Sequence, residues 1–203
     1  MKLAILGASG RTGRLVVEQA LAASHSVRAL VRSAAKFELS HPMLELVEGD
    51  ATNAADILRV VEGCDAVISA LGPVGARTDV CSMAARHVIA AKVRRYVSVS
   101  GAGLDVPGDA KDLVGKIVSF IVRTTAPAVF ADKVLEHQLL SASDVPWTLV
   151  RPPQLLESPS RGPVRVDFSK APGSRVPRAD LATFLLKAAA DETLIGKAPF
   201  VAT

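Results

Sequence analysis

Three glycines at a fixed spacing, Gly7, Gly10 and Gly13 in the run GASGRTG, are the residues of this chain whose types and positions most directly suggest chemistry. They lie where a short apolar run, residues 2–6, gives way to apolar residues at helical spacing, residues 11–23. In such a turn Gly7 permits the tight reversal, Gly10 lets the backbone approach a pyrophosphate, and Gly13 lets the helix pack on the sheet. The helix start then offers free N–H groups and a positive dipole end to phosphate oxygens. Taken alone the run is also a plain strand-to-helix connection; at the first turn of an alternating βαβ series it points to a bound dinucleotide. A second feature closes the strand at residues 26–31. Sites that prefer NAD place an acid there for the ribose 2′-hydroxyl. This run offers no carboxylate, but Arg32 with Lys36 one helical turn further, a clamp for a 2′-phosphate. The alternative is that both are solvated surface cations.

Other chemistries find little support. The four histidines are scattered, and neither they nor Cys64 and Cys81 show ligand spacing, so no metal site is expected. Ser9 has no Gly-x-Ser-x-Gly around it, which argues against a nucleophilic hydrolase. His137, next to Glu136, reads as a surface residue. Arg123 and Arg175 could hold an anionic substrate, the alternative being unpartnered surface arginines. A composition of 49% hydrophobic and 22% charged residues is that of a globular chain with room for a core. The net charge of +4 invites a nucleic-acid partner, yet the basic residues are dispersed and only 4% of residues are aromatic, so stacking platforms are scarce and none is expected. Neither a leader nor a membrane-spanning window is legible, and two cysteines suit a reducing compartment; the expectation is a cytoplasmic chain with no membrane partner.

The elements that must position these residues follow from the switching hydrophobic period. Strands are expected at 2–6, 26–31, 44–47, 66–70, 95–99 and 147–150, and helices at 11–23, 53–61, 80–91, 130–141 and 179–190. A hairpin is expected around 165–168 and a last strand near 200. The strands lack clean polar alternation, as in a parallel sheet covered on both faces. The predicted fold is α/β: one doubly wound, three-layer Rossmann domain over residues 1–203. A substrate-side insertion near 101–127 holds one apolar segment, 113–122, and residues 152–203 supply further substrate-side elements.

An ordered set of segments then resembles a known family. GASGRTG, LVRSAAK, VEGDATN, DAVISALG, RYVSVSGAG, KVLEHQLLSASDVPWTLVRPP and VPRADLA are similar to the atypical short-chain dehydrogenase/reductases of the NAD(P)H-binding, NmrA-like type. Within them the chain resembles the biliverdin reductase B, or flavin reductase, group. That resemblance implies NADP(H) as cofactor, with Gly7, Ser9, Gly10, Arg11, Thr12 and Gly13 at the pyrophosphate and Arg32 and Lys36 at the 2′-phosphate. Asp50 and Ala51 would flank the adenine, and Leu71 and Gly72 would border the nicotinamide-side ribose, although Gly72-Pro73 also suits an ordinary turn. Ser98 and Ser100 come from the fifth strand, whose carboxyl end faces the nicotinamide by the crevice rule. Ser100 is the better substrate-side candidate; serines near strand ends also cap backbone groups. Pro152 would line the nicotinamide pocket.

The chain departs from the ordinary superfamily pattern Tyr-x-x-x-Lys, in which lysine lowers the phenol pKa and the phenol moves a proton. Lys133 stands where that lysine would be, four residues after Val129, and the single tyrosine, Tyr96, falls in the fifth strand. Lys133 is a candidate contact to cofactor ribose, or a solvated helix residue. The implied function is an NADPH-dependent reductase acting on a small conjugated or aromatic acceptor such as a flavin, quinone or tetrapyrrole. The alternative is a non-catalytic NADP(H) sensor of NmrA type.

Overall fold

Apolar residues on both sides of each short strand dictate a buried sheet, and the chain builds one. In β1 (Lys2–Leu6), Leu3 and Ile5 enter one core layer while Ala4 and Leu6 enter the other, the two-residue period of a strand covered on both faces. The computed structural model describes residues 1–203 apart from Val74 and Ala76. After β1 come α1 (Arg11–Ala22), β2 (Ser26–Val31), β3 (Leu44–Glu48), α2 (Ala54–Val61), β4 (Ala66–Ser69), α3 (Val80–Ala90) and β5 (Tyr96–Val99). There follow α4 (Leu113–Thr125), α5 (Pro127–Ser141) and β6 (Trp147–Val150). These six strands are parallel in the order β3-β2-β1-β4-β5-β6. The order reverses between β1 and β4, which opens a crevice at their carboxyl ends.

The remaining elements, β7 (Gln154–Leu156), β8 (Arg165–Asp167), β9 (Arg175–Pro177), α6 (Arg178–Ala190) and β10 (Phe200–Ala202), lie beside that crevice and behind the sheet. Helices α1 and α6 pack on one face, α2, α3 and α5 on the other.

Two sequence expectations change. No hairpin forms around residues 165–168: β8 pairs antiparallel with β10, and β7 pairs parallel with β9, so the carboxyl-terminal strands join partners distant in sequence. The helix expected at 130–141 starts at Pro127, and the apolar segment of the insertion is the separate helix α4, bent by 113° from α5. The break falls on Ala126, with φ −137° and ψ 58°, because a residue before proline is driven out of the helical region.

The insertion is fastened by two buried cations. Arg151, just after β6, donates from Nη1 and Nη2 to the two Asp109 oxygens at 2.7 and 2.8 Å, and its guanidinium lies 3.6 Å from the Phe200 ring centre. Lys111 Nζ donates to the carbonyls of Ala102 and Leu104, to Asp105 Oδ1 and to Ser119 Oγ, all at 2.8–2.9 Å.

Candidate cofactor and substrate site

The glycine turn is built for close approach. Gly7 has φ +77°, and a Cβ there would sit 2.9 Å from the Ala70 carbonyl oxygen. A Cβ on Gly13 would fall 2.1 Å from the Gly7 carbonyl oxygen, so the third glycine is required by helix-to-strand packing. Gly10 is the N-cap of α1; no side chain caps the helix and no acid stands in its first turn, leaving its N–H groups and dipole for an anion. Ser9, Gly10 and Arg11 are exposed there, and Thr12 is buried with its Oγ1 accepting from Arg178 Nη1 at 2.8 Å. Glu157 Oε1 accepts from both Arg11 Nη1, at 3.0 Å, and Arg178 Nε, at 2.6 Å. Arg178 and Glu157 escaped sequence reasoning, since they reach the first turn from the start of α6 and the loop after β7, more than a hundred residues away.

Arg32 follows β2 directly and is exposed, as is Lys36 in the 3-10 turn Ala34–Lys36. The run itself offers no carboxylate, but the neighbouring strand brings one to it. Glu48, at the end of the neighbouring β3, accepts from the Ala34 N–H at 3.0 Å and so places an acid against this turn. Asp50 accepts from Thr52 N–H and Oγ1 at 2.8 and 2.7 Å, which holds its carboxyl below the usual range, with Arg77 and Arg32 assisting. Ala51 is buried in the core layer beneath it.

Between the α1 start and the insertion lies a cavity of about 1060 Å³, enough for a dinucleotide end and a second molecule. It brings together Arg11, Thr12, Leu71, Gly72, Ser100, Lys133 and Pro152 from the sequence-predicted set. Gly7, Ser9, Gly10 and Gly13 form the adjoining turn, while Arg32, Lys36, Asp50 and Ala51 stand off its far end toward β2 and β3. Ser98 does not line it: the residue is fully buried in β5, and its Oγ has no hydrogen-bond partner among the described residues. Ser100 is in the cavity wall, and its Oγ is likewise without a partner in the chain. Arg123 and Arg175 are exposed and do not line the cavity.

Lys133 is not a solvated helix residue. Its Nζ donates to the Val99 carbonyl at 2.7 Å and to Glu136 Oε2 at 3.0 Å, and its side chain is almost buried. Burial pulls its pKa down, but the Glu136 carboxylate and the neighbouring Cys81 outweigh it and the net shift is upward. Burial pushes the Cys81 thiol up to about 12, leaving it un-ionised and inert. Tyr96 is wholly buried, its phenol raised well above the ordinary value by burial and then by Glu136. His137 is half-buried with its ring edge-on to Trp147, 5.6 Å between centres, which corrects its reading as a surface residue.

These features fit a nicotinamide dinucleotide. The two crowded glycines let α1 start close against the strand ends, the uncapped α1 start has N–H groups open to an anion, and Ser100, whose Oγ has no partner in the chain, and Lys133 stand together in the cavity wall. Comparison with known proteins agrees. The anaerobilin reductase ChuY of Escherichia coli superposes with a TM-score of 0.82 at 21% identity, covering 99% of this chain and 96% of that one. A short-chain dehydrogenase/reductase of Veillonella parvula, solved in complex with NADP, gives a TM-score of 0.82 at 17% identity, covering 100% and 94%. Likeness at these identities shows the fold. An uncharacterised chloroplast protein of Arabidopsis thaliana is 41% identical over 76 residues, 35% of this chain; the match spans 27% of that relative's length. The profile of the NAD(P)H-binding family matches residues 7–192, nearly the whole of the sheet and both helical layers, and the chain belongs to that family.

Proposed function

We propose that this protein is an NADPH-dependent reductase whose acceptor is a conjugated or aromatic molecule of the flavin, quinone or tetrapyrrole class. The observation that carries this reading is the wall of the cavity one helical turn before Lys133. Val129 stands there, beside Phe130, where a phenol would be needed to protonate a ketone oxygen. Among the described lining residues the only carboxylate is Asp112, and its Oδ1 accepts from the Gly115 N–H at the start of α4. The lining is mostly apolar, with Leu71, Val114, Val118, Val122 and Leu155 suited to a flat hydrophobic molecule and Gln154, Lys170 and Ser174 adding polar groups at its edge.

Bound NADPH supplies a hydride, two electrons and one proton's mass, to the acceptor. The chain's part is to hold and orient. The α1 start and Arg11 bind the pyrophosphate, and Arg32 and Lys36 select the 2′-phosphate. Lys133, fixed by Glu136 and the Val99 carbonyl, positions the ribose, and Ser100 offers a hydroxyl to the substrate side. The balancing proton comes from water, which a conjugated acceptor tolerates because its reduced anion is delocalised. NADPH oxidation measured with flavin, quinone, tetrapyrrole and simple ketone acceptors tests the proposal. Turnover with at least one conjugated acceptor and little with ketones is expected; brisk ketone reduction overturns it. Tight NADPH binding with no acceleration across the panel assigns the chain to the sensor class instead.

A further inference from the structure

Helix α4 is apolar on two faces. At helical spacing Val114, Val118 and Val122 share the face that lines the cavity. Leu113, Ile117, Phe120 and Ile121, on the adjoining face, do not line it and are 73, 49, 58 and 49% exposed. Of the whole helix only Ser119 is buried. A lid needs an apolar inner face alone, so closure over substrate does not account for the outer one.

The charges beside this outer face narrow its occupant. Lys116 and Arg123 are exposed on its flank, and no aspartate or glutamate occurs between residues 113 and 131. Asp112, just ahead, is engaged with Gly115. A second copy of this chain, packed helix to helix about a twofold axis, would bring these cations together with no acid on the helix to receive them. A bilayer with anionic headgroups satisfies both the apolar stripe and its basic edge.

We propose that α4, with the exposed Pro127, Ala128 and Ala131 at the start of α5, docks on an anionic lipid surface. The helix, about 20 Å long, lies in the interfacial plane with Leu113, Ile117, Phe120 and Ile121 at the acyl boundary and Lys116 and Arg123 among the phosphates. No single helix among the described residues is long and apolar enough to cross a membrane, and docking requires none. The earlier expectation of no membrane partner rested on the absence of a span and is revised accordingly. Because the inner face of α4 lines the cavity, docking sets the cavity mouth beside lipid, where a membrane-dissolved acceptor such as a quinone would enter. This last step rests on the reductase reading; the docking does not.

Co-sedimentation of the full chain with vesicles of phosphatidylcholine, with or without about one third phosphatidylglycerol, tests it. Binding to the anionic vesicles is expected to be on the order of thirtyfold tighter than to neutral ones, from about two basic contacts, and to weaken with salt. The double variant Ile117→Asp with Phe120→Asp should abolish binding, and Lys116→Gln with Arg123→Gln should erase the anionic preference. Both should keep the wild-type circular dichroism and NADPH affinity. No binding to anionic vesicles at low salt, or binding that these variants leave intact, overturns the proposal. So does a dimer in light scattering that the double variant dissociates while vesicle binding is absent. Vesicle binding that persists while every acceptor fails would overturn the reductase reading and leave the docking standing.

Discussion

Lys133 meets the cofactor pocket with its ammonium already engaged, since Glu136, wholly buried on the same helix, shares it with the Val99 carbonyl. A buried ion pair broken on one side leaves an uncompensated charge, which costs about 3–5 kcal/mol. Glu136→Gln should therefore lower the unfolding free energy by an amount at the lower end of that range, because glutamine still accepts one hydrogen bond; denaturant titration measures it. Ser100→Ala separates substrate from cofactor contacts: kcat should fall by about tenfold or more while NADPH affinity stays within about twofold, as read from steady-state kinetics and a binding titration. At the other end of the site, Arg32→Ala should cut the preference for NADPH over NADH by about tenfold, one charge-assisted contact. Glu48→Gln should widen that preference, because it removes a carboxylate that repels the 2′-phosphate. Paired titrations with both cofactors check the two directions, and equal affinities in the wild type would remove the clamp.

At the scale of elements, the glycine turn illustrates how much chemistry a backbone can carry. Gly13→Ala puts a methyl 2.1 Å from the Gly7 carbonyl, so α1 must shift off β1. Overpacking of this kind costs about 1–3 kcal/mol, and NADPH affinity should drop with it because the helix start moves away from the pyrophosphate. The order and type of ten of the first eleven elements are legible in the sequence because each apolar run is short, bounded and of one period; α4 is the exception, read only as an apolar segment of the insertion. The glycine turn and the strand ends that carry Leu71, Gly72 and Ser100 follow from that alternation. What escaped reading shares one cause: contacts between residues far apart in sequence. Glu157 and Arg178 reach Thr12 and Arg11, Glu48 reaches Ala34, and β8 finds β10 rather than a neighbour. Lys133 and Ser98 looked alike as polar residues beside the crevice; only their depth tells that one lines the cavity and the other is enclosed in the sheet.

For the molecule as a whole, buried titratable groups set the pH range of stability. His137 is held below its ordinary pKa by burial first and by the Arg151 charge second. A base depressed in the folded state contributes stability that is complete above its unfolded value and is lost as pH falls from that value toward the folded one. Stability should therefore decline as pH drops below about 6.5, and His137→Phe should flatten that decline in thermal melts taken between about pH 7 and 5. Lys133 titrates in the opposite sense: raised in the fold, its contribution is intact below about pH 10.4 and fades only in stronger alkali.

Phe200 lies under Arg151, and Arg151 in turn grips Asp109. Synthesis runs from the amino terminus, and domains tend to organise in the order in which they emerge. The glycine turn, built from β1, α1, β2 and β4, draws on residues up to Ala70, well before the roof residues are made. The Lys111 and Arg151–Asp109 contacts of the roof draw on residues 102–151 alone, whereas the ring that covers Arg151 arrives only when residue 200 has left the ribosome. A nascent chain whose residues up to α6 had emerged would thus display a finished phosphate cradle under a roof whose Arg151 still lacks its aromatic cover, and the capacity to hold cofactor would precede, in time, the final sealing of the space beside it.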